Sequence, residues 1–332
     1  MTLFIQGMRR SGTTILYDAL VTDPGLHCFY EPFREEKDTP GGGSGARQED
    51  PFSETRGLRA AYAAEVHPEL SLDQFNWGGP RRPRLELEPN LPAHCRGFLD
   101  SLLRSDGSKH DPGAGGTRRP WAGEVAIKFT RMSAKIADLK EADPGALLIH
   151  MVRDPRAVAA SMMHGRGSKR EGRYPEADQF FSETEKRKLW SSGPLSDALG
   201  ARLSCPNHER ILMVWKENFD STHVAGQRLF GERYLLVQNE QLRVDTLGVL
   251  RRIYAARGIE LPAAVAEWAA GKVKPLEQPY SAEDRRWAEA LRRLDAGGSV
   301  AAAGYPELAE AVAAAGPARL AAVARWRRGG KR

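Results

Sequence analysis

Leu3-Phe4-Ile5-Gln6-Gly7-Met8-Arg9-Arg10-Ser11-Gly12-Thr13-Thr14, with Ile15-Leu16-Tyr17-Asp18-Ala19-Leu20 behind it, carries three signals in a row. Leu3 to Gly7 is apolar and of strand length, and reads as a short buried strand. Met8 to Thr14 is a loop with a glycine inside it, and Ile15 to Leu20 opens an amphipathic helix. A strand that reaches a helix N-terminus through such a loop makes an anion cradle, because unpaired backbone N–H groups and the positive helix end converge on one point. Arg10 and the hydroxyls of Ser11, Thr13 and Thr14 add a charged fork and further donors. A triphosphate-binding loop ends in Gly-Lys-Ser/Thr. Here the basic residue comes before Ser11-Gly12-Thr13-Thr14 instead.

A second junction of the same kind lies further along. Ala146-Leu147-Leu148-Ile149-His150-Met151-Val152 is an apolar run of strand length with Arg153 at its end. Asp154-Pro155 is a helix start, Asp as N-cap and Pro at the first helical position. Arg156 to Met163 continues as helix. An Arg at the C-terminal end of a strand and Ser161, two turns into the next helix, can face one crevice at the sheet edge.

Arg10-Ser11-Gly12-Thr13-Thr14 after a strand resembles the 5′-phosphosulfate-binding loop of sulfotransferases that use 3′-phosphoadenosine 5′-phosphosulfate (PAPS). Arg153-Asp-Pro-Arg-Ala-Val-Ala-Ala-Ser161 is similar to the 3′-phosphate-binding motif of the same family. The resemblance covers roughly 1–33 and 120–290. It is nearer to the bacterial, carbohydrate and tyrosylprotein type than to the cytosolic arylsulfotransferase type, whose glycine-rich closing loop is missing. It implies that Arg9, Arg10, Ser11, Gly12, Thr13, Thr14, Arg153 and Ser161 hold the nucleotide, with Lys274 in the loop where the family closes over the 3′-phosphate.

Two further residues have chemical potential. Glu31 lies at the C-terminal end of the strand Leu26 to Tyr30, with Pro32 stopping the ladder, and that end of a parallel strand faces the ligand crevice. The resemblance makes Glu31 the general base for an acceptor hydroxyl; His27, an imidazole earlier in the same strand, is the competing base. Lys128 ends the strand-like run from Glu124, and the resemblance gives it, with Arg10, the charge on the leaving phosphate and sulfuryl oxygens. Arg131 is a weaker candidate of the same kind. Gln238-Asn239-Glu240-Gln241-Leu242 stands where the family commonly has a basic-aromatic-Glu-Asp-Leu run, and the resemblance carries no nucleotide contact over to this segment. Trp215 reads as core rather than as a stacking partner for adenine.

Composition agrees with an anionic ligand. The 332 residues carry a formal charge of +6, with a pI near 9.3. Such a balance also suits nucleic acid, but no base-reading signature accompanies it. No window of ~18 apolar residues occurs, so no membrane span is expected, and the expected location is the cytoplasm. Cys28, Cys95 and Cys205 are too few for a disulfide framework. Cys205-Pro-Asn-His208 has ligand-like spacing without a second pair, and no metal is expected. The high Ala, Arg and Gly content hints at a GC-rich bacterial source, and secondary metabolism is a setting in which such an enzyme would work.

Strand and helix signals alternate, which predicts an α/β fold of three layers: a mainly parallel central sheet with flanking helices, the P-loop-like sulfotransferase fold. Strands are expected at 3–7, 26–30, 124–128, 146–152 and 234–238. Residues 1–298 read as one domain, interrupted at 34–120 by a loop-rich helical cap; 299–332 read as an Ala-rich, surface-helical extension with a basic tail. The expected activity is transfer of the PAPS sulfuryl group to a hydroxyl of a small-molecule, carbohydrate or lipid acceptor. A P-loop kinase and a non-catalytic nucleotide- or polyanion-binding module are the competing readings.

Overall fold

The computed structural model describes residues 1–34, 53–75, 88–103, 123–164, 206–273 and 284–315. Lys274, the glycine-rich stretches of the 34–120 insert, the basic loop at 165–173, Cys205 and the tail at 325–332 lie outside the described residues.

In chain order the elements are β1 (Leu3–Gln6), α1 (Thr13–Leu20), β2 (Leu26–Tyr30), α2 (Ser53–Val66), α3 (Ala93–Leu103), β3 (Glu124–Phe129), α4 (Ile136–Ala142), β4 (Leu147–Val152), α5 (Pro155–His164) and α6 (Asn207–Phe230). They continue with β5 (Tyr234–Gln238), α7 (Asn239–Val244), α8 (Thr246–Ala256), α9 (Ala263–Lys272), α10 (Arg285–Arg293), α11 (Gly297–Ala302) and α12 (Pro306–Ala314). All five expected strands form, within one residue of their expected ends.

The strands make one parallel sheet in the order β2-β3-β1-β4-β5. β1 and β4 are buried at every position, which is why both read as unbroken apolar runs: a parallel strand is covered on both faces. Leu3, Ile5, Ile149 and Met151 pack with Leu16 and Leu20 of α1 and with Leu250 and Ile253 of α8. The opposite face carries Phe4, Ile127 and Leu148 against α2, α3 and α4. Each such side chain, fully buried, contributes about 1.5–3 kcal/mol. α5 packs with α6, through Val158 and Ala159 against Leu212 and Trp215.

This order fixes where a ligand can enter. From β1 the chain moves two places to β2 and later returns past β1 to β4. Helix α1 covers one face of the sheet, whereas α5 covers the other. The connections after β1 and β4 therefore part, leaving a crevice at the carboxyl ends of these adjacent strands.

Asp245 caps α8, its carboxylate accepting the Gly248 N–H at 2.9 Å. The Ala-rich segment is not simply a surface helix. Val300, Ala303, Leu308 and Val312 of its two helices are buried with Trp287 and Leu291 of α10. His208 is buried against the ring of Trp287. No helix among the described residues is long and apolar enough to cross a membrane.

Candidate active site

Two left-handed residues shape the loop after β1. Arg10 has a φ of 73° and Gly12 a φ of 93°. Left-handed positions in a loop turn successive N–H groups inward into a concave nest, and for Arg10 this conformation is costly. Gly12 is required twice over: a Cβ there would meet Asn239 Nδ2 at 1.6 Å. Gly7 also leaves no room for a side chain, since its Cβ would fall 2.4 Å from the carbonyl oxygen of Met151.

The side chains of the loop divide into two groups. Ser11 is turned inward, its hydroxyl donating to Met8 O at 2.5 Å and its N–H to the same oxygen at 3.1 Å. Thr13 is buried, and the Thr14 hydroxyl shares a hydrogen bond with the Tyr30 hydroxyl at 3.1 Å. These hydroxyls hold the loop together. The N–H groups of Thr13 and Thr14, in the first turn of α1, have no intrahelical acceptor and face outward from the helix end. Arg9 is exposed at the rim.

The β1–α1 and β4–α5 junctions meet. Arg10 Nε donates to Ser161 Oγ at 2.8 Å, and Arg153 Nη1 donates to the Arg10 carbonyl at 3.1 Å. Arg153 and Ser161 thus reach the β1 loop from the two ends of the β4–α5 junction. Asp154 caps α5 as its position before Pro155 predicts, accepting from Arg156 N at 2.8 Å. Arg153 Nε is buried with no hydrogen-bond partner among the described residues. A buried guanidinium N–H of this kind is a donor waiting for an acceptor.

On the other side of the cradle lies an acid–base pair. Tyr30 and Lys128 are register partners on β2 and β3, so their side chains project to the same face. Lys128 is 1% exposed; its Nζ lies 3.9 Å from the centroid of the Tyr30 ring and hydrogen-bonds Glu31 Oε1. Glu31 has a φ of 44°, so Arg10 and Glu31 are two of the three non-glycine positive-φ residues among those described. Burial pushes the Glu31 carboxyl upward, but the charge and hydrogen bond of Lys128, with Arg34 and Arg131 behind, outweigh it and hold the group below the ordinary carboxylate range. A chain of contacts runs from Thr14 through Tyr30 and Lys128 to Glu31.

His27 is not part of this assembly. Its Nε2 meets Glu54 of α2 at 2.8 Å and its ring packs on Phe29. Four residues of strand, about 13 Å, separate it from Glu31.

Several contributors are not evident from sequence. Asn239, buried at the start of α7, donates to Ser11 O at 3.1 Å and accepts from Arg243 Nε at 2.9 Å. Burial lowers the pKa of the Arg243 guanidinium, and the charge of Arg153 adds to the effect. The segment that departs from the family pattern therefore supports the β1 loop through an Asn and an Arg spaced i, i+4 on one helix face, a pattern that could have been noticed. Trp215 is buried and stacked on Phe219 at 5.4 Å, as a core residue should be, and its indole N–H also donates to the Arg153 carbonyl at 3.0 Å.

A family model described as the sulfotransferase family matches residues 2–263. Among solved structures, the chain is similar to the sulfotransferase domain of the Synechococcus PCC 7002 olefin synthase (19% identity, 80% of this chain and 75% of that one, TM-score 0.40). It is also similar to the sulfotransferase domain from the curacin biosynthetic pathway (15% identity, 79% and 75%, TM-score 0.42). A third is sulfotransferase STF9 from Mycobacterium avium (14% identity, 88% and 75%, TM-score 0.40). No curated protein matches the chain.

Proposed function

The chain belongs to the sulfotransferase family, and we propose that it moves the sulfuryl group of PAPS to a hydroxyl of a small-molecule, carbohydrate or lipid acceptor, releasing adenosine 3′,5′-bisphosphate. The observation that carries this reading is the contact set Arg153–Arg10–Ser161, which joins two anion-binding junctions in one crevice. A single cradle suits any nucleotide; two joined cradles suit one with phosphate on both sides of its ribose. The orphaned Arg153 Nε supports the fit, because a phosphate oxygen would satisfy it.

In this reading the N–H groups of Thr13 and Thr14 hold the 5′-phosphate, with Gly12 giving the loop its left-handed turn beside Asn239, and Arg9 at the rim. Arg153 and Ser161 hold the 3′-phosphate, and Lys274 closes over it. The bound nucleotide supplies an electrophilic sulfur with a phosphate as leaving group. Glu31 receives the proton of the acceptor hydroxyl. Lys128 occupies Oε1, so Oε2 is the atom that takes it. Arg10 and Lys128 balance the charge that develops on the sulfuryl oxygens and the leaving phosphate, the task that fixed cations perform best in a buried site.

Titration calorimetry separates this reading from a kinase. Adenosine 3′,5′-bisphosphate should bind at least about tenfold more tightly than magnesium-ATP, because a charge-assisted contact to the 3′-phosphate, which ATP lacks, contributes on the order of 1.5–3 kcal/mol. Tighter binding of magnesium-ATP would favour the kinase. Transfer of labelled sulfate from PAPS to an alcohol or phenol separates an enzyme from a binding module.

A further inference from the structure

The peptide that follows Arg153 is held at both of its polar ends. Its carbonyl, belonging to Arg153, accepts from Trp215 Nε1 at 3.0 Å; its N–H, belonging to Asp154, donates to Glu240 Oε1 at 3.2 Å. Rotation of this peptide would swing the Arg153 side chain away from Arg10, so the two side chains act as a vice on the arginine. Glu240 itself is oriented from a distance. Its second oxygen, Oε2, accepts from the hydroxyl of Tyr305 at 2.8 Å. Burial and the neighbouring Glu240 charge push the Tyr305 phenol pKa up, so it stays protonated and acts as the donor.

Tyr305 belongs to the turn between α11 and α12, and that turn is locked to the end of β5. Gln238 Nε2 donates to Ala303 O at 3.0 Å and to Gly304 O at 2.8 Å. Gly304 has a φ of 86°, and a Cβ there would meet Gln238 Nε2 at 2.7 Å. Neighbouring residues of one segment thus reach three places: Gln238 the C-terminal helices, Asn239 the β1 loop and Glu240 the β4–α5 junction. The turn is fixed by these specific hydrogen bonds in addition to its apolar packing against Trp287 and Leu291.

We infer that Tyr305 and Glu240 are positioning residues for Arg153, so that the C-terminal helices set the enzyme's preference for a nucleotide bearing a 3′-phosphate. This rests on the assignment of Arg153 and Ser161 to that phosphate. The effect is confined to one half of the nucleotide site. The β1 loop receives Arg153 Nη1 at the Arg10 carbonyl but has separate support from Asn239, whereas the Arg153 peptide is held through Glu240 and Trp215.

The test compares adenosine 3′,5′-bisphosphate with adenosine 5′-monophosphate on Tyr305→Phe, Glu240→Gln and the unaltered protein. Tyr305→Phe keeps the ring and removes the donor. It should weaken the bisphosphate about fivefold, the scale of one net hydrogen bond, and leave the monophosphate unchanged. Glu240→Gln keeps an acceptor for Asp154 N and should show an intermediate loss, again for the bisphosphate alone. Parallel weakening of both ligands would mean a general structural role and would overturn the inference, as would no change in either. If the unaltered protein itself fails to prefer the bisphosphate, the 3′-phosphate assignment falls and this inference with it. A preferring parent with an indifferent Tyr305→Phe removes the inference alone.

Discussion

Replacing Glu31 by Gln should lower turnover by roughly 10²–10⁴, the usual scale of general-base catalysis, while the affinity for adenosine 3′,5′-bisphosphate hardly changes. The amide keeps the shape of the side chain but cannot take the acceptor's proton. It also deprives the buried Lys128 of its counter-charge, so the unchanged nucleotide affinity doubles as the check that the variant is folded. The pH profile follows from the same pair. A carboxyl held below its ordinary range stays ionised from pH 7 down past about 4.3, the unperturbed value for Glu. The pair's contribution to stability is likewise complete above that value and is lost as pH falls through the lowered pKa of the folded state. Turnover in the unaltered enzyme should therefore stay level, as far as this group is concerned, from pH 7 to about 5. An imidazole base would lose rate below about pH 6.5. Near-normal turnover of Glu31→Gln at neutral pH would make Glu31 structural and return His27 to consideration, despite its place beside Glu54.

Arg10→Ala should damage both turnover and binding. The guanidinium is the link between the cradle and Ser161, and in the proposed reaction it also balances charge that appears only as the sulfur–oxygen bond breaks. Removing a fixed charge-stabilising donor costs about 10²–10³ in turnover. Losing the charge-assisted phosphate contact should cost roughly tenfold or more in bisphosphate affinity. Replacement by Lys should recover part of the affinity and less of the turnover, because an ammonium is a point charge and cannot span two acceptors. Equal losses in turnover and affinity for Arg10→Ala would reduce it to a binding residue.

The sheet was open to reading because burial on both faces writes a parallel strand as an apolar run, as Leu3 to Gln6 and Leu147 to Val152 show. The Asp154 cap was equally readable, since its chemistry is complete within three residues. What could not be read depends on distant pairing. Glu31 meets Lys128 only because Tyr30 and Lys128 are register partners on neighbouring strands. The engagement of the Ser11 hydroxyl with Met8 O and of the Thr14 hydroxyl with Tyr30 is also a product of folding. The Ala-rich segment hid its contribution because small residues give a weak pattern. Its Val300, Leu308 and Val312 are nonetheless core, and Tyr305 lies 65 residues from the Glu240 that it orients.

Calorimetry on Arg153→Ala decides whether Arg153 and Ser161 read a 3′-phosphate. The unaltered protein should bind adenosine 3′,5′-bisphosphate much more tightly than adenosine 5′-monophosphate. Arg153→Ala should lose roughly tenfold or more of the bisphosphate affinity and keep that for the monophosphate, so that the preference collapses. Equal affinity for the two nucleotides in the unaltered protein, or a preference that survives Arg153→Ala intact, would remove Arg153 and Ser161 from 3′-phosphate recognition.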